Sequence, residues 1–231
     1  MRKKLYLIPG TMCNEKLWRE LLPYLHHDIE LVYLTIPQNK TFDELVEHYN
    51  TMFGNEKVSL AGFSLGGYIA TYFAMLHPER IEKLFIISNS PTRLPDDELN
   101  QRNDTLKYVE TYGYKGMSRK RVANFLDDAN QNDDLINCIL TMESELGESE
   151  FFSQYRYTSQ RPDLSLALKQ FSFDTHIYYS EHDNMVNAQW LNELADSNPN
   201  LLLIRTPGSG HMLPLEKPQE LAAHINTWIA R

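Results

Sequence analysis

The sequence predicts an α/β fold, a mostly parallel sheet of about six strands flanked by helices, with an inserted helical segment. Three observations lead to this prediction. Short apolar segments alternate with helical patterns along most of the chain. The apolar segments lack the alternation of half-exposed strands, which is typical of strands covered on both faces. One long stretch, residues 91–173, carries helical patterns but no convincing strand.

The predicted strands and helices follow one another in a regular order. The strand candidates are residues 5–8, 29–35, 57–60, 84–88, 176–179 and 201–204. The helical patterns outside the long stretch are residues 15–26, 41–53, 65–77, 187–197 and 218–230. Thr41 and Glu44 form a capping box at the start of the second of these helices. Strands that alternate with helices in this way form parallel sheets with right-handed crossovers.

The long stretch between the fourth and fifth strands is predicted to be a lid. A helical insertion above the carboxyl ends of a parallel sheet is typical of a cover over a ligand crevice. The predicted organisation is therefore a core of residues 1–90 and 174–231, with a lid of residues 91–173. Its helical patterns are residues 97–112, 118–129, 133–146 and 149–157. Most of its aromatic residues are expected to form the small core of the lid, and two or three to line the pocket.

Composition excludes several classes of function. A chain of 231 residues is most economically one domain, and its formal charge of −9 argues against nucleic acid as a partner. No segment has the length of a membrane span, and the apolar run at the N-terminus is too short for a signal peptide. Cys13 and Cys138 form neither a disulfide framework nor a metal-binding pattern. We therefore expect a cytoplasmic protein without a metal or an organic cofactor.

Residues 62–66, which read Gly-Phe-Ser-Leu-Gly, are the most informative motif of the chain. The pattern G-x-S-x-G is typical of a sharp turn between a strand and a helix that exposes a nucleophilic serine. An apolar run precedes the motif and a helical pattern follows it, as such a turn requires. A phosphate-binding loop is the alternative, but the Gly-Lys-Ser/Thr sequence that it needs is missing. Ser64 is therefore the candidate nucleophile.

His211 is the candidate general base, because a serine hydroxyl needs a base to become nucleophilic. It lies in a glycine-rich loop after the last strand and before the terminal helix. The other histidines considered lie in helices, at helix ends or in the fifth strand. Sequence position therefore leaves His211 free to act in a site.

Asp183 is the candidate acid that orients His211. It follows the fifth predicted strand, and Glu181 in the same loop is its competitor. Asp174 precedes that strand and therefore lies at the opposite end of the sheet.

The oxyanion formed in acyl transfer needs two backbone N–H donors. Leu65, directly after the serine, is expected to supply one of them. Thr11, in the loop after the first strand, is expected to supply the other, with Met12 as the alternative.

The chain resembles the α/β-hydrolases over essentially its full length, and among them the small lidded serine esterases. Members of this type that it is similar to include the carboxylesterase of biotin synthesis and the menaquinone-pathway cyclohexadiene-carboxylate synthase. One departure is Pro9-Gly10, where many relatives have His-Gly. The segments that carry the resemblance are residues 8–11 with Trp18, 62–66, 77–81, 161–164, 181–186, 210–211 and 216–218.

Three functions are compatible with these residues. The first is a hydrolase that cleaves a small-molecule carboxylic ester or thioester through an acyl-enzyme, with substrate-binding residues within the lid. The second is a lyase resembling the menaquinone enzyme, which would need cationic side chains in the pocket. The third is a binding protein without catalysis, which has no need for all three of serine, histidine and aspartate. The oligomeric state is left open. The arginines considered for the lyase are Arg93, Arg102, Arg119 and Arg121.

Overall fold

A computed structural model describes residues 2–230, and within them six strands form one sheet. The strand order is β2-β1-β3-β4-β5-β6, and every neighbouring pair is parallel. The predicted fold class is confirmed. The strands are β1 Lys3–Ile8, β2 Ile29–Tyr33, β3 Val58–Phe63, β4 Ile81–Ile87, β5 Thr175–Ser180 and β6 Leu201–Thr206.

Helices cover both faces of this sheet. Thr41 caps α1 through the predicted box, since its hydroxyl accepts the Glu44 N–H while the Glu44 carboxylate accepts the Thr41 N–H. Among residues 2–230, no helix has the length and apolar character needed to cross a membrane. The helices are α1 Phe42–Phe53, α2 Leu65–Leu76, α3 Asp96–Tyr112, α4 Arg119–Ala123, α5 Asp133–Tyr157, α6 Ser165–Leu168, α7 Ala188–Ala195, α8 Leu213–Glu216 and α9 Pro218–Ala230.

Two helix predictions differ from the structure. Residues 15–26 form two short 3-10 turns, Glu15–Trp18 and Leu22–Tyr24, because Pro23 cannot donate the hydrogen bond that a continuous helix needs there. The predicted helix at 118–129 ends at Ala123. The patterns at 133–146 and 149–157 are confirmed as two helical stretches of α5, which is interrupted between them at Gly147, where φ is 70°.

The two faces of the sheet contact two separate apolar cores. Side chains alternate along β1, so that Tyr6 and Ile8 enter one core while Leu5 and Leu7 enter the other. Helices α1, α2 and α7 pack on the first face, and α9 packs on the second. This double coverage explains why the strands are apolar without alternation.

The segment between β4 and β5 contains α3 to α6. Helix α5 places Ile139 and Met142 in the second core, while Phe151 packs with Met12 and Val109 in a smaller cluster. Buried side chains of α5 therefore pack this segment against the second face of the sheet and against the loop after β1. The division into a core and a lid at residues 91–173 stays a prediction, and positions 1 and 231 of that core lie outside the described residues.

Candidate active site

Ser64 lies in the turn between β3 and α2, at the carboxyl edge of the sheet. Its backbone has φ 50° and ψ −117°, a region that non-glycine residues rarely adopt. The turn is tight enough to exclude side chains at two positions. A Cβ atom on Gly62 would lie 2.2 Å from the Gly66 carbonyl oxygen, and one on Gly66 would lie 2.3 Å from that of Ile8. The two glycines therefore permit the strained serine.

His211 lies between β6 and α8, with its ring directed at Ser64. The distance from His211 Nε2 to Ser64 Oγ is 3.0 Å. The imidazole side chain is only 7% exposed. The His211 backbone N–H donates to the Phe125 carbonyl at 2.8 Å, which connects the loop to the segment between β4 and β5.

Glu216 and Asp127 hold the loop that carries His211. The Glu216 carboxylate accepts the Met212 N–H at 2.9 Å and the Asp127 N–H at 2.7 Å. The Asp127 carboxylate accepts the Ser209 N–H at 2.8 Å, two residues before the histidine. Burial raises the pKa of Glu216, and the N–H of Asp127 opposes that change. Sequence reasoning missed both carboxylates, since the bonds from Asp127 to Glu216 and from Ser209 to Asp127 join residues 89 and 82 positions apart.

Asp183 follows β5 and contacts the far side of the imidazole. Its Oδ2 lies 2.7 Å from His211 Nδ1, and its side chain is 2% exposed. The other carboxylate oxygen accepts the Met185 N–H at 2.9 Å. Glu181, the competitor, is exposed and lies 3.5 Å from the neighbouring His182. Asp174 lies 3.1 Å from His176 at the start of β5.

Ser64, His211 and Asp183 thus form one continuous set of hydrogen bonds. A carboxylate only accepts hydrogen bonds, so the neutral ring carries its proton on Nδ1. Nε2 is then the acceptor, and it accepts the Ser64 O–H. This tautomer is the one that a histidine needs to take a proton from serine.

The backbone N–H groups predicted to bind the oxyanion are without hydrogen-bond partners among the described residues. They belong to Leu65, at the start of α2, and Thr11, in the loop after β1. The Met12 N–H, the alternative to Thr11, donates to the Gln154 side chain at 2.8 Å. Between the two candidates in the loop after β1, the Thr11 N–H is therefore available to a ligand and the Met12 N–H is not.

Neither cysteine has the properties of a second nucleophile. Burial raises the pKa of Cys13 to about 12, with a further contribution from Cys138. A thiol in this state is protonated at neutral pH and therefore unreactive. No group of three His, Cys, Asp or Glu residues suited to a metal ion occurs in the described part of the chain.

The aromatic residues of the segment between β4 and β5 divide into two groups. Phe151 packs with Met12 next to the predicted oxyanion loop. Tyr108 and Tyr112 are instead 56% and 63% exposed, so they lie outside any enclosed site. Two surface cavities of about 560 and 720 Å³ are lined wholly or partly by this same segment, the first of them by Tyr108, and neither includes Ser64. The other aromatics around Phe151 are Tyr114, Phe152 and Tyr155.

Arg161 is a cation that sequence reasoning did not select. Its guanidinium stacks 4.6 Å from the centroid of the Tyr68 ring on α2, and its Nε donates to the Thr92 carbonyl. Burial, followed by the charge of Arg102, lowers the pKa of Arg161 to about 10. Arg102 is paired with Glu98, whereas Arg161 has no carboxylate within ion-pair distance among the described residues. The remaining predicted cations, Arg93, Arg119 and Arg121, are exposed.

Comparisons with known proteins point to one fold. A sequence model described as alpha/beta hydrolase fold matches residues 37–120. The chain is 23% identical to the biotin biosynthesis bifunctional protein BioHC of Teredinibacter turnerae, over 99% of this chain and 45% of that protein. It is 31% identical to a pimeloyl-[acyl-carrier protein] methyl ester esterase of Photobacterium profundum, over 38% of this chain and 37% of that one. The matched regions thus span less than half the length of these two relatives.

Solved structures give the same result over the whole chain. A thermophilic esterase from Thermogutta terrifontis superposes with a TM-score of 0.87 and 18% identity, covering 99% of this chain and 89% of the other. MenH from S. aureus superposes with a TM-score of 0.80 and 17% identity, covering 99% and 93%. The resemblance inferred from the sequence is confirmed, and the fold is that of the α/β-hydrolases.

Proposed function

We propose that this chain, which has the α/β-hydrolase fold, is a serine hydrolase that cleaves a small-molecule carboxylic ester or thioester. The observation that carries the proposal is the set of hydrogen bonds from Ser64 through His211 to Asp183. These groups have the geometry of nucleophile, base and orienting acid. The similarity to proteins named as esterases, from T. terrifontis and P. profundum, supports the same reaction class.

The first half of the proposed reaction forms an acyl-enzyme. Ser64 Oγ attacks the acyl carbon while His211 Nε2 takes the hydroxyl proton. Asp183 accepts the Nδ1–H bond and stabilises the imidazolium that results. The carbonyl π electrons move to oxygen, and the Leu65 and Thr11 N–H groups bind this oxyanion. When the tetrahedral intermediate collapses, the bond to the leaving alcohol or thiol breaks, and His211 gives that group its proton.

The second half returns the serine. A water molecule attacks the acyl carbon and gives a proton to His211. The bond to Ser64 Oγ then breaks, the carboxylic acid leaves, and His211 returns the proton to the serine. Both halves use one base and one oxyanion site, so no cofactor is required. A cytoplasmic location and a lid formed by residues 91–173 remain predictions.

A lyase is the second candidate, and one observation favours it. Arg161 lies beside Arg102 without a carboxylate partner of its own, and such a cation suits a carboxylate-bearing substrate. MenH from S. aureus is among the similar structures, and at 17% identity that likeness shows only the fold. Turnover of acidic substrates that survives Arg161→Glu would argue against this candidate.

Hydrolysis of p-nitrophenyl esters of increasing acyl length tests the proposal. We expect Ser64→Ala and His211→Ala to lower kcat at least about 10³-fold, since removing one member of such a set disables it. His224→Ala is the matched control, because this histidine lies on α9 next to Tyr178 and outside the site. Most turnover surviving in Ser64→Ala would contradict the assignment, as would a wild type that is inactive on every ester.

A further inference from the structure

We propose that Gln154 is a positioning residue for the loop that supplies the oxyanion donor. This inference rests on the proposed function, since it concerns the same reaction. Gln154 is on α5, 142 residues from Met12 in the chain, and its side-chain oxygen accepts the Met12 N–H at 2.8 Å. Both residues are almost fully buried, with exposures of 2% and 4%. The bond is therefore shielded from water.

The orientation of the Gln154 amide is set by a second hydrogen bond. Its Nε2 donates to Glu150 Oε1 at 2.6 Å, one helical turn earlier on α5. Because the carboxylate of Glu150 accepts a hydrogen bond, the amide nitrogen must face it and the amide oxygen must face Met12. The acceptor for the loop is thus built by two buried side chains of one helix.

The loop held by Gln154 has a strained conformation. The Cys13 N–H donates to the Gly10 carbonyl at 3.1 Å, which closes a turn with Thr11 and Met12 at its centre. Met12 has φ 54°, at a turn position where glycine or asparagine is usual. A methionine remains there only when its surroundings stabilise the conformation. The hydrogen bond to Gln154 supplies this stabilisation directly at the Met12 N–H.

Gln154 thereby determines which N–H group the loop offers to a substrate. With the Met12 N–H bound to the glutamine, the Thr11 N–H is the donor that remains unpaired in this turn. Without Gln154, the Thr11–Met12 peptide unit can rotate so that Met12 returns to an ordinary φ, and the turn that carries the Thr11 N–H shifts with it. A displaced donor binds the ground-state carbonyl about as well but stabilises the oxyanion less.

Ser153 provides a matched comparison on the same helix. Its hydroxyl accepts the Asn39 N–H at 2.7 Å, and its exposure is 4%. Ser153 therefore attaches α5 to the loop after β2, as Gln154 attaches it to the loop after β1. Removing either acceptor leaves one N–H unpaired, but only Gln154 contacts the oxyanion loop.

The test compares Gln154→Met with Ser153→Ala. Methionine keeps the approximate shape of glutamine but cannot replace either of its hydrogen bonds. We expect Gln154→Met to lower kcat for p-nitrophenyl esters about 10- to 100-fold, with KM within about twofold of the wild type. Inhibition by a boronic acid, which forms a tetrahedral adduct on the serine, should weaken by a similar factor. Ser153→Ala should keep kcat and boronic acid affinity near the wild-type values, even if its melting temperature falls as far as that of Gln154→Met.

The outcomes separate this inference from the proposed function. A Ser64-dependent wild-type activity that Gln154→Met leaves intact would overturn the role of Gln154 alone. Equal losses of kcat in the two variants, or a change confined to KM, would do the same, because they indicate only that α5 must dock. Wild-type activity that survives Ser64→Ala would overturn both.

Discussion

The turn that carries Ser64 and the loop that carries His211 meet at one site but are held by different forces. The serine turn is confined by contacts among close neighbours: its glycines approach carbonyls of their own turn and of the adjacent β1. The histidine loop depends on acceptors that are remote in the chain, since the Asp127 carboxylate accepts the Ser209 N–H, 82 residues away, and the Phe125 carbonyl accepts the His211 N–H. The comparison indicates that the proposed nucleophile is set by local sterics and the proposed base by tertiary contacts.

The two regions should therefore respond differently to mutation. Backbone clashes in the serine turn are not relieved by a side-chain movement, because the atoms involved belong to the backbone of β1, β3 and α2. The histidine loop is held by hydrogen bonds to half-buried carboxylates, which can be lost without a steric clash. Changes there should alter the position of the imidazole without destroying the sheet.

Gly62→Ala has the largest expected effect. The added Cβ would lie 2.2 Å from the Gly66 carbonyl oxygen, so the strand or the helix must move. We expect a loss of at least about 3 kcal/mol in the free energy of unfolding, or no folded protein. Urea denaturation measures this loss. Gly113→Ala is the control, since φ there is 78° and nothing lies within 4 Å of the added atom. Its cost should be about 1–2 kcal/mol. Equal costs would show that the tight turn is not what confines Ser64.

Glu216→Ala tests the attachment of the histidine loop. It removes the acceptor of the Met212 and Asp127 N–H groups, and each unpaired group costs about 1–3 kcal/mol where it stays buried. We expect kcat for p-nitrophenyl esters to fall about tenfold, because the imidazole is then less well positioned. The exposed Glu193 on α7 gives a control, Glu193→Ala, which should match the wild type in kcat and in the free energy of unfolding. Unchanged kcat in Glu216→Ala would contradict a role for tertiary contacts in holding His211.

Asp127→Asn gives the smallest effect, and it depends on pH. Hydrogen bonds from the Ser209 N–H, followed by the Ala129 N–H, hold the pKa of Asp127 below its usual value. A lowered pKa means that the carboxylate stabilises the fold above its unfolded pKa of about 4, and that this contribution is lost as pH falls through the folded pKa. Urea midpoints of wild type and variant should therefore differ at pH 6, and the difference should shrink as the pH falls below about 4. Asp128→Asn, one residue later, is the control, since the Asp128 carboxylate accepts a side-chain hydrogen bond from Gln131 and does not hold the histidine loop. A constant difference across this range would exclude the predicted linkage.

Much of the fold could be predicted because the signals are local. Apolar runs of strand length predicted all six strands, and the Thr41 capping box predicted the start of α1. The helix predicted at 15–26 was wrong because Pro23 outweighed the apolar spacing. In that case the absence of one backbone N–H, at the proline, decided the local structure, and the periodicity of apolar residues did not.

The sequence by itself determined the strands, the serine turn and the candidate residues of the site, because motif, spacing and chain order suffice for them. It left Glu181 as a competitor of Asp183 and Met12 as an alternative to Thr11. Only the tertiary structure decided these cases, by placing Asp183 against His211 and by pairing the Met12 N–H with Gln154. The physical reason is that hydrogen-bond partners far apart in the chain leave no pattern in it, and become neighbours only when the fold brings them together.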